Sequence, residues 1–121
     1  KKNEIVPQKL CDAKRLMEIR EQIAGIKIAD PVMDYLVKIV GATHEPNKYI
    51  RVGSSPRGGQ AMVRMCRARA FMQGRYNVSF EDVKYIAYPA LRHRIVASFD
   101  AIAEGITTDR IIDMIIESHP E

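Results

Sequence analysis

Apolar residues recur at helical spacing in five stretches of the chain, and turn or cap residues separate these stretches. The first predicted helix covers residues 8–24 and precedes Gly25, which is expected to end it. The second begins at Asp30 and Pro31, a cap followed by a favoured first helical residue, and Pro46 stops it. The apolar stripe expected on the first helix consists of Leu10, Ala13, Leu16, Met17 and Ile23.

Two further helices are predicted in the middle of the chain. Residues 56–73 form the third helix, and Gly74 is its C-terminal stop. Ser79 and Asp82 have the spacing of a capping box that starts the fourth helix. Pro89 is expected to kink the last turns of that fourth helix.

A fifth helix is expected from Thr107 or Thr108 to about residue 118. Short extended pieces are expected at residues 26–28, 49–52 and 95–99, and they are too short for a sheet-based core. The sequence therefore predicts a mainly α fold, a compact helical bundle of about five helices in one domain over residues 1–121.

Composition places the chain among ordinary globular domains, since 46% of its 121 residues are hydrophobic and 28% are charged. No apolar run approaches the roughly 20 residues of a membrane span, and the basic start lacks the apolar core of a signal peptide. We therefore expect a cytoplasmic protein with no membrane partner. Cys11 and Cys66 lack Cys-x-x-Cys spacing and are expected to be reduced and buried.

Positive charge is concentrated in one segment. Residues 46–80 contain no carboxylate and the rest of the chain is net acidic, so the net charge of +4 arises from this segment. Such a distribution is typical of a site for a polyanion rather than of a uniformly basic surface. The arginines of the segment are Arg51, Arg57, Arg64, Arg67, Arg69 and Arg75.

A β-like run at residues 49–52 breaks at Gly53 and leads into the third helix. Ser55 is a suitable N-cap, Pro56 suits the first helical position, and Arg57 lies in the first turn. A helix start already carries partial positive charge, and a guanidinium there strengthens an anion site. We interpret Arg57 as a phosphate-binding arginine. The alternative is a solvated arginine after a common Ser-Pro helix start.

The third helix is expected to have one packing face and one binding face. Arg64 and Arg67 share the binding face with Arg57 and are expected to be solvated. Arg69 projects toward the apolar side, so it should either reach solvent or meet a carboxylate from another helix. The packing face consists of Ala61, Met62, Met65, Cys66 and Met72, with the methionines as core filler.

Motifs of intrinsic catalysis are missing from the sequence. The glycines of residues 53–59 lack the Gly-Lys-Ser/Thr of a phosphate loop, and the single Asp100 after an apolar run is interpreted as a surface or capping residue. The three histidines lack metal-binding spacing and no nucleophile elbow is present, so no metal site and no nucleophilic catalysis are expected.

The ordered series of motifs resembles the C-terminal helical lid of MoxR-type AAA+ ATPases over nearly the whole chain. The family pattern Y-[VI]-x-x-G-x-S-P-R has its counterpart in residues 49–57. The chain departs from the family at three positions: His44 stands where arginine is usual, Gly58 where alanine is common, and Arg69 where an apolar residue is usual. Matching positions further along are Gly74, Arg75, Val78, Asp82, Val83, Pro89, Leu91, His93 and Arg94.

The resemblance implies that Arg57 is the sensor 2 arginine, which contacts the γ-phosphate of ATP. It implies that residues 1–6 link the lid to an N-terminal α/β ATPase domain, which holds ATP and Mg²⁺. The full-length ATPase would form a homo-oligomeric ring and assemble or remodel partner proteins, such as proteins with von Willebrand factor A domains. The lid alone is expected to be inactive. The turn that presents the arginine would consist of Gly53, Ser54, Ser55 and Pro56.

A basic helical module that binds nucleic acid is the alternative, with Arg51, Arg64, Arg67 and Arg75 on phosphates. The modest net charge, the lack of helix-turn-helix spacing and the lack of aromatic residues among the arginines disfavour nucleic acid as a partner. An interaction domain without a phosphate ligand is a second alternative.

Overall fold

Six helices and two short strands form the part of the chain that the computed structural model describes, namely the backbone of residues 2–121 and the side chains of residues 12–121. The predicted mainly α fold is confirmed, with one more short helix than expected. In chain order the elements are α1 (Lys2–Ala24), α2 (Asp30–Ala42), β1 (Ile50–Val52), α3 (Pro56–Met72), α4 (Phe80–Leu91), β2 (Val96–Ala97), α5 (Phe99–Glu104) and α6 (Thr108–Ser118).

Helices α3 and α4 share the most extensive helix–helix contact, while α2 packs on both of them and α6 packs on α4 and α2. Met62 and Cys66 of α3 are fully buried, as are Val83 and Leu91 of α4. Removing these side chains from water is the main favourable contribution to folding. The buried residues of α2 and α6 are Val32, Tyr35, Leu36, Ile39, Ala42, Ile111, Ile112 and Ile115.

Side-chain caps define where several helices begin. Ser79 Oγ accepts the Asp82 N–H at 3.2 Å, and Asp82 Oδ2 accepts the Ser79 N–H at 2.8 Å, so the predicted capping box is confirmed. Thr107 caps α6 through its hydroxyl oxygen. The expectation that Asp30 caps α2 is wrong, because Ala29 is the N-cap and Asp30 lies in the first turn, where its charge favours the helix.

The two strands pair antiparallel, with Ile50 opposite Ala97. The extended piece expected at residues 95–99 forms only in part, because Ser98 Oγ accepts the Ala101 N–H at 3.1 Å and starts α5. A helix of 6 residues that buries only Ala101 has no helical period in its apolar residues, so α5 was not predicted from the sequence.

Some faces that were expected to pack are exposed. Leu16 and Met17 of α1 are 60% and 64% exposed, whereas Ile19 and Ile23 on the same helix are half-buried. Met72 is 82% exposed, so its predicted place on the packing face of α3 was wrong. Apolar periodicity fixes which residues share a face of a helix, but it does not say whether another element covers that face.

The structure describes side chains only from residue 12 onward, so the expected burial of Cys11 stays a prediction. The role of residues 1–6 as a linker also stays a prediction. The described helices include none with the length and apolar composition needed to cross a membrane.

Candidate functional site

The turn at residues 53–56, between β1 and α3, packs closely against the C-terminal end of α2. A Cβ atom on Gly53 would lie 2.3 Å from the carbonyl oxygen of Thr43 and 2.9 Å from Nδ1 of His44. Glycine fits because it has no Cβ, and a larger residue would have to push the two segments apart. The break in the sequence pattern at Gly53 is therefore a site of close backbone approach.

Ser54 is fully buried and joins this turn to α2. Its N–H donates to Thr43 Oγ1 at 2.9 Å, and its carbonyl oxygen accepts a hydrogen bond from His44 Nε2. Its own hydroxyl donates to the carbonyl oxygen of Ser55 at 3.0 Å, and Thr43 Oγ1 donates to the Val40 carbonyl oxygen at 2.7 Å. Buried backbone groups need such partners, because an unpaired one costs free energy. The side chains of Thr43 and His44, directly after α2, thus hold the turn.

The first turn of α3 has no side-chain cap of its own. Ser55 is the N-cap residue and Pro56 lies at the helix start, as predicted, but the Ser55 side chain accepts no hydrogen bond there. No acidic residue occupies this turn, all of which lies in the described part of the chain. The partial positive charge of the helix start is therefore not neutralised by a side chain of that turn.

Arg57 extends from this turn into solvent and, among the described residues, no carboxylate forms an ion pair with it. Arg64, about two turns further along α3, is exposed as predicted. Arg67 was expected to be solvated, which is wrong, because it is half-buried and its Nε donates to the Ile26 carbonyl oxygen at 3.0 Å. The chain therefore leaves the Arg57 guanidinium available and uses Arg67 in its own packing.

Asp82 forms ion pairs with two more arginines of the basic segment. Arg69 of α3 forms an ion pair with it, which confirms the expected carboxylate from another helix, and Arg75 binds it through two bonds of 2.6 and 2.8 Å. Burial raises the pKa of Asp82, but hydrogen bonds from Arg75, the Ser79 backbone and Arg69 outweigh it and lower that pKa to about 2. This cluster holds α3 against α4.

An open apolar groove of about 480 Å³ runs between α2 and α3 and reaches the turn. His44, Ser54 and Pro56 line its end next to Arg57, so the groove and the helix start form one continuous surface. The apolar side chains along it are Met33, Leu36, Val37, Val40 and Val63.

Cys66 is a free, fully buried cysteine, as predicted. Burial raises the pKa of its thiol to about 12, which keeps it protonated and makes it a poor nucleophile. In the described part of the chain, His, Cys, Asp and Glu side chains form no group of three that could hold a metal ion.

The structure brings Gly53, Ser54, Ser55, Pro56 and Arg57 together on one turn and helix start, as their sequence positions require. The side chains that hold this turn, Thr43 and His44, were not identified as such from the sequence. They lie about ten residues upstream, and only the packing of α2 against the turn shows the connection.

Comparison with known proteins adds a family match. Residues 44–115 match the AAA lid domain family. The chain is 28% identical over 111 residues to the chaperone MoxR1 of Mycobacterium tuberculosis, covering 85% of this chain and 29% of that protein. It is 45% identical over 51 residues to the protein MoxR of Paracoccus denitrificans, covering 42% of this chain and 15% of that protein.

A crystal structure of a candidate ATPase from Cytophaga hutchinsonii superposes with a TM-score of 0.78 at 34% identity, covering 86% of this chain and 34% of that one. The chain thus spans about a third or less of the length of the relatives that it matches.

Proposed function

This chain belongs to the AAA lid domain family of MoxR-type AAA+ ATPases, and from that premise we propose that it closes over ATP in a larger ATPase and supplies Arg57 as the sensor 2 arginine. ATP and Mg²⁺ would be held by an N-terminal α/β domain, and the lid would contribute one positive charge at the γ-phosphate. The full-length ATPase would act as a homo-oligomeric ring.

The observation that carries this proposal is the placement of Arg57. It lies in the first turn of an uncapped helix, exposed, and without an ion pair among the described residues. A helix start with free guanidinium and N–H donors suits the terminal phosphate of a nucleotide, which carries concentrated negative charge. The turn before it is fixed to α2, so the guanidinium is presented from a rigid base.

Loss of the γ-phosphate would remove the negative charge that Arg57 binds. Its interaction with the nucleotide would weaken, and the lid would be free to rotate relative to the ATPase domain. We propose that this rotation drives chaperone-like assembly or remodelling of partner proteins. The name of the relative MoxR1, a chaperone, supports this class of activity, whereas partners with von Willebrand factor A domains rest on the family resemblance alone.

The use of the arginines weighs against the nucleic-acid alternative. Arg67, Arg69 and Arg75 are engaged by the carbonyl of Ile26 and the carboxylate of Asp82, so they are not free to follow a phosphate backbone. Tracking a nucleic acid needs several available cations, because each phosphate contact adds its own share of counterion release.

The test is ATP turnover by the full-length ATPase that carries the Arg57→Ala change. We expect ATP hydrolysis to fall while ATP affinity changes little, because the guanidinium acts on the transferring phosphoryl group and other groups bind the base and sugar. Wild-type turnover by that variant would refute the proposed role.

A further inference from the structure

The ring of His44 connects the end of α2 to the turn that carries Arg57. A carbonyl oxygen can only accept a hydrogen bond, so the His44 Nε2 that contacts the Ser54 carbonyl must carry a hydrogen and donate it. The other ring nitrogen, Nδ1, lies beside Gly53, at 2.9 Å from the position of a Cβ there. The imidazole therefore binds Ser54 and leaves no room for a side chain on the preceding residue, Gly53.

The backbone of His44 is held in place, although the residue is exposed. Its backbone N–H donates to the carbonyl oxygen of Gly41 at 2.9 Å, which keeps it in the turn that closes α2. The preceding residue, Thr43, binds the Ser54 N–H at 2.9 Å. Thr43 and His44, the two residues that follow α2, thus bind both polar groups of the Ser54 backbone, one as acceptor and one as donor.

This fixation replaces what a helix cap usually does. The Ser55 side chain makes no capping bond, so the local support of the first turn of α3 is the backbone bond from the Gly58 N–H to the Ser55 carbonyl oxygen at 2.9 Å. That direction depends on the Ser54 peptide, which lies three residues before Arg57. A change in this peptide would move the guanidinium, and a displacement of about 1 Å can cost roughly 10²-fold in rate.

We propose that His44 is a positioning residue for ATP hydrolysis, which acts through the Ser54 carbonyl on the placement of Arg57. The inference rests on the proposed function, because it assigns His44 a role only if Arg57 contacts the transferring phosphate. His44 does not touch the nucleotide. Its ring donates to the turn in the uncharged form as well as in the charged form, so its function needs an N–H donor rather than a positive charge.

The experiment measures kcat and KM for ATP in the full-length ATPase with His44→Ala, Arg57→Ala and both changes together. We expect His44→Ala to lower kcat about tenfold at nearly unchanged KM, since a misplaced guanidinium affects the transition state more than ATP binding. In the Arg57→Ala background the same change should have no further effect, because the group that His44 positions is then gone.

Two further variants separate positioning from general stability. His44→Gln keeps an N–H donor at similar reach and should restore kcat to within about threefold of wild type. His119→Ala removes a comparable bond, from Nδ1 to the Ile115 carbonyl oxygen at 2.8 Å, and a contact of Nε2 with Glu45 at 3.7 Å. Neither contact involves residues 53–57, so this variant should leave kcat unchanged. Melting temperatures of all variants check that the fold is intact.

An equal loss of kcat from His44→Ala with and without Arg57 would overturn the inference, as would a His44→Gln enzyme as slow as His44→Ala. Wild-type kcat in His44→Ala together with a slow Arg57→Ala enzyme would overturn it and leave the role of Arg57 standing. Wild-type kcat in Arg57→Ala would overturn the proposed function and this inference with it.

Discussion

The hydroxyl of Ser54 occupies the space that a side chain on residue 58 would need. A Cβ atom on Gly58 would lie 1.9 Å from Ser54 Oγ and 3.1 Å from Cδ2 of Leu91. Ser54, in the turn that precedes Arg57, and Gly58, near the start of α3, are both buried. The absence of a side chain at position 58 thus makes room for the buried serine at position 54.

We expect Gly58→Ala to destabilise the chain by about 1–3 kcal/mol, the usual cost of overpacking a filled core position. Alanine favours the helix by propensity, so a clash is the reason for any loss. The free energy of unfolding in urea measures the effect. The matched control is Gly59→Ala in the same turn of α3, where a Cβ meets only Val40 Cγ2 at 3.9 Å, and we expect it to be neutral or stabilising.

A second change should relieve this clash. In Ser54→Ala/Gly58→Ala the hydroxyl is gone, and the alanine methyl at position 58 has space. We expect the double variant to be more stable than Gly58→Ala alone, although Ser54→Ala by itself loses the bond to the Ser55 carbonyl and about 1 kcal/mol. Strictly additive effects in the cycle would show that the two positions do not compete for space.

Asp82 makes stability depend on pH at the acid end. The pKa of its carboxyl in the folded chain is about 2, below the ordinary value of 3.8, so the stabilisation is present above pH 4 and is lost as pH falls from about 4 to 2. We expect a contribution on the order of 2 kcal/mol at neutral pH. Asp82→Asn should lower stability at pH 7 and flatten this part of the curve.

The exposed pair of Asp109 with Arg92 is the control for Asp82. The Asp109 carboxylate accepts two hydrogen bonds from Arg92, of 2.7 and 3.1 Å, at the surface, where solvent screens the charges. Asp109→Asn should change the free energy of unfolding by less than about 1 kcal/mol. An equal loss from the two substitutions would contradict a special role of the buried carboxylate.

The sequence predicted those features whose cause is local. The Ser79–Asp82 capping box and the helix start at Pro56 were found because the chemistry of a cap lies within a few residues. The bond from Arg67 to the Ile26 carbonyl and the contact of His44 with the turn were missed. They join segments that only tertiary packing brings together, and no periodicity encodes them.

The nucleic-acid alternative can be tested on the chain itself by an anisotropy titration with double-stranded DNA over a series of salt concentrations. We expect weak binding without a steep salt slope, because three arginines of the basic segment are used internally. Arg69→Gln should not weaken any binding that is seen, since this side chain is committed to Asp82. Tight binding that falls steeply with salt would favour the nucleic-acid module.

The chain alone should not hydrolyse ATP and should bind it weakly, since its sequence has no phosphate loop. Steady-state phosphate release by the purified chain, with Arg57→Ala as the reference for contaminating ATPases, measures this. Turnover that survives further purification and depends on Arg57 would show that the chain contains more of the catalytic machinery than a lid does.

In the full-length ATPase, Arg57→Ala should lower kcat by roughly 10²- to 10³-fold, the usual cost of removing one preorganised donor at a developing charge. Arg57→Lys should recover only part of this loss, because an ammonium is a point charge and cannot reproduce the planar fork of a guanidinium. Arg64→Ala, which removes an exposed arginine from the same helix, should leave kcat within about twofold of wild type. All three variants are compared at one salt concentration, so that general electrostatic attraction of ATP is constant. If Arg64→Ala were the slower enzyme, the phosphate contact would lie further along α3, and the turn held by Thr43 and His44 would not be the element that presents it.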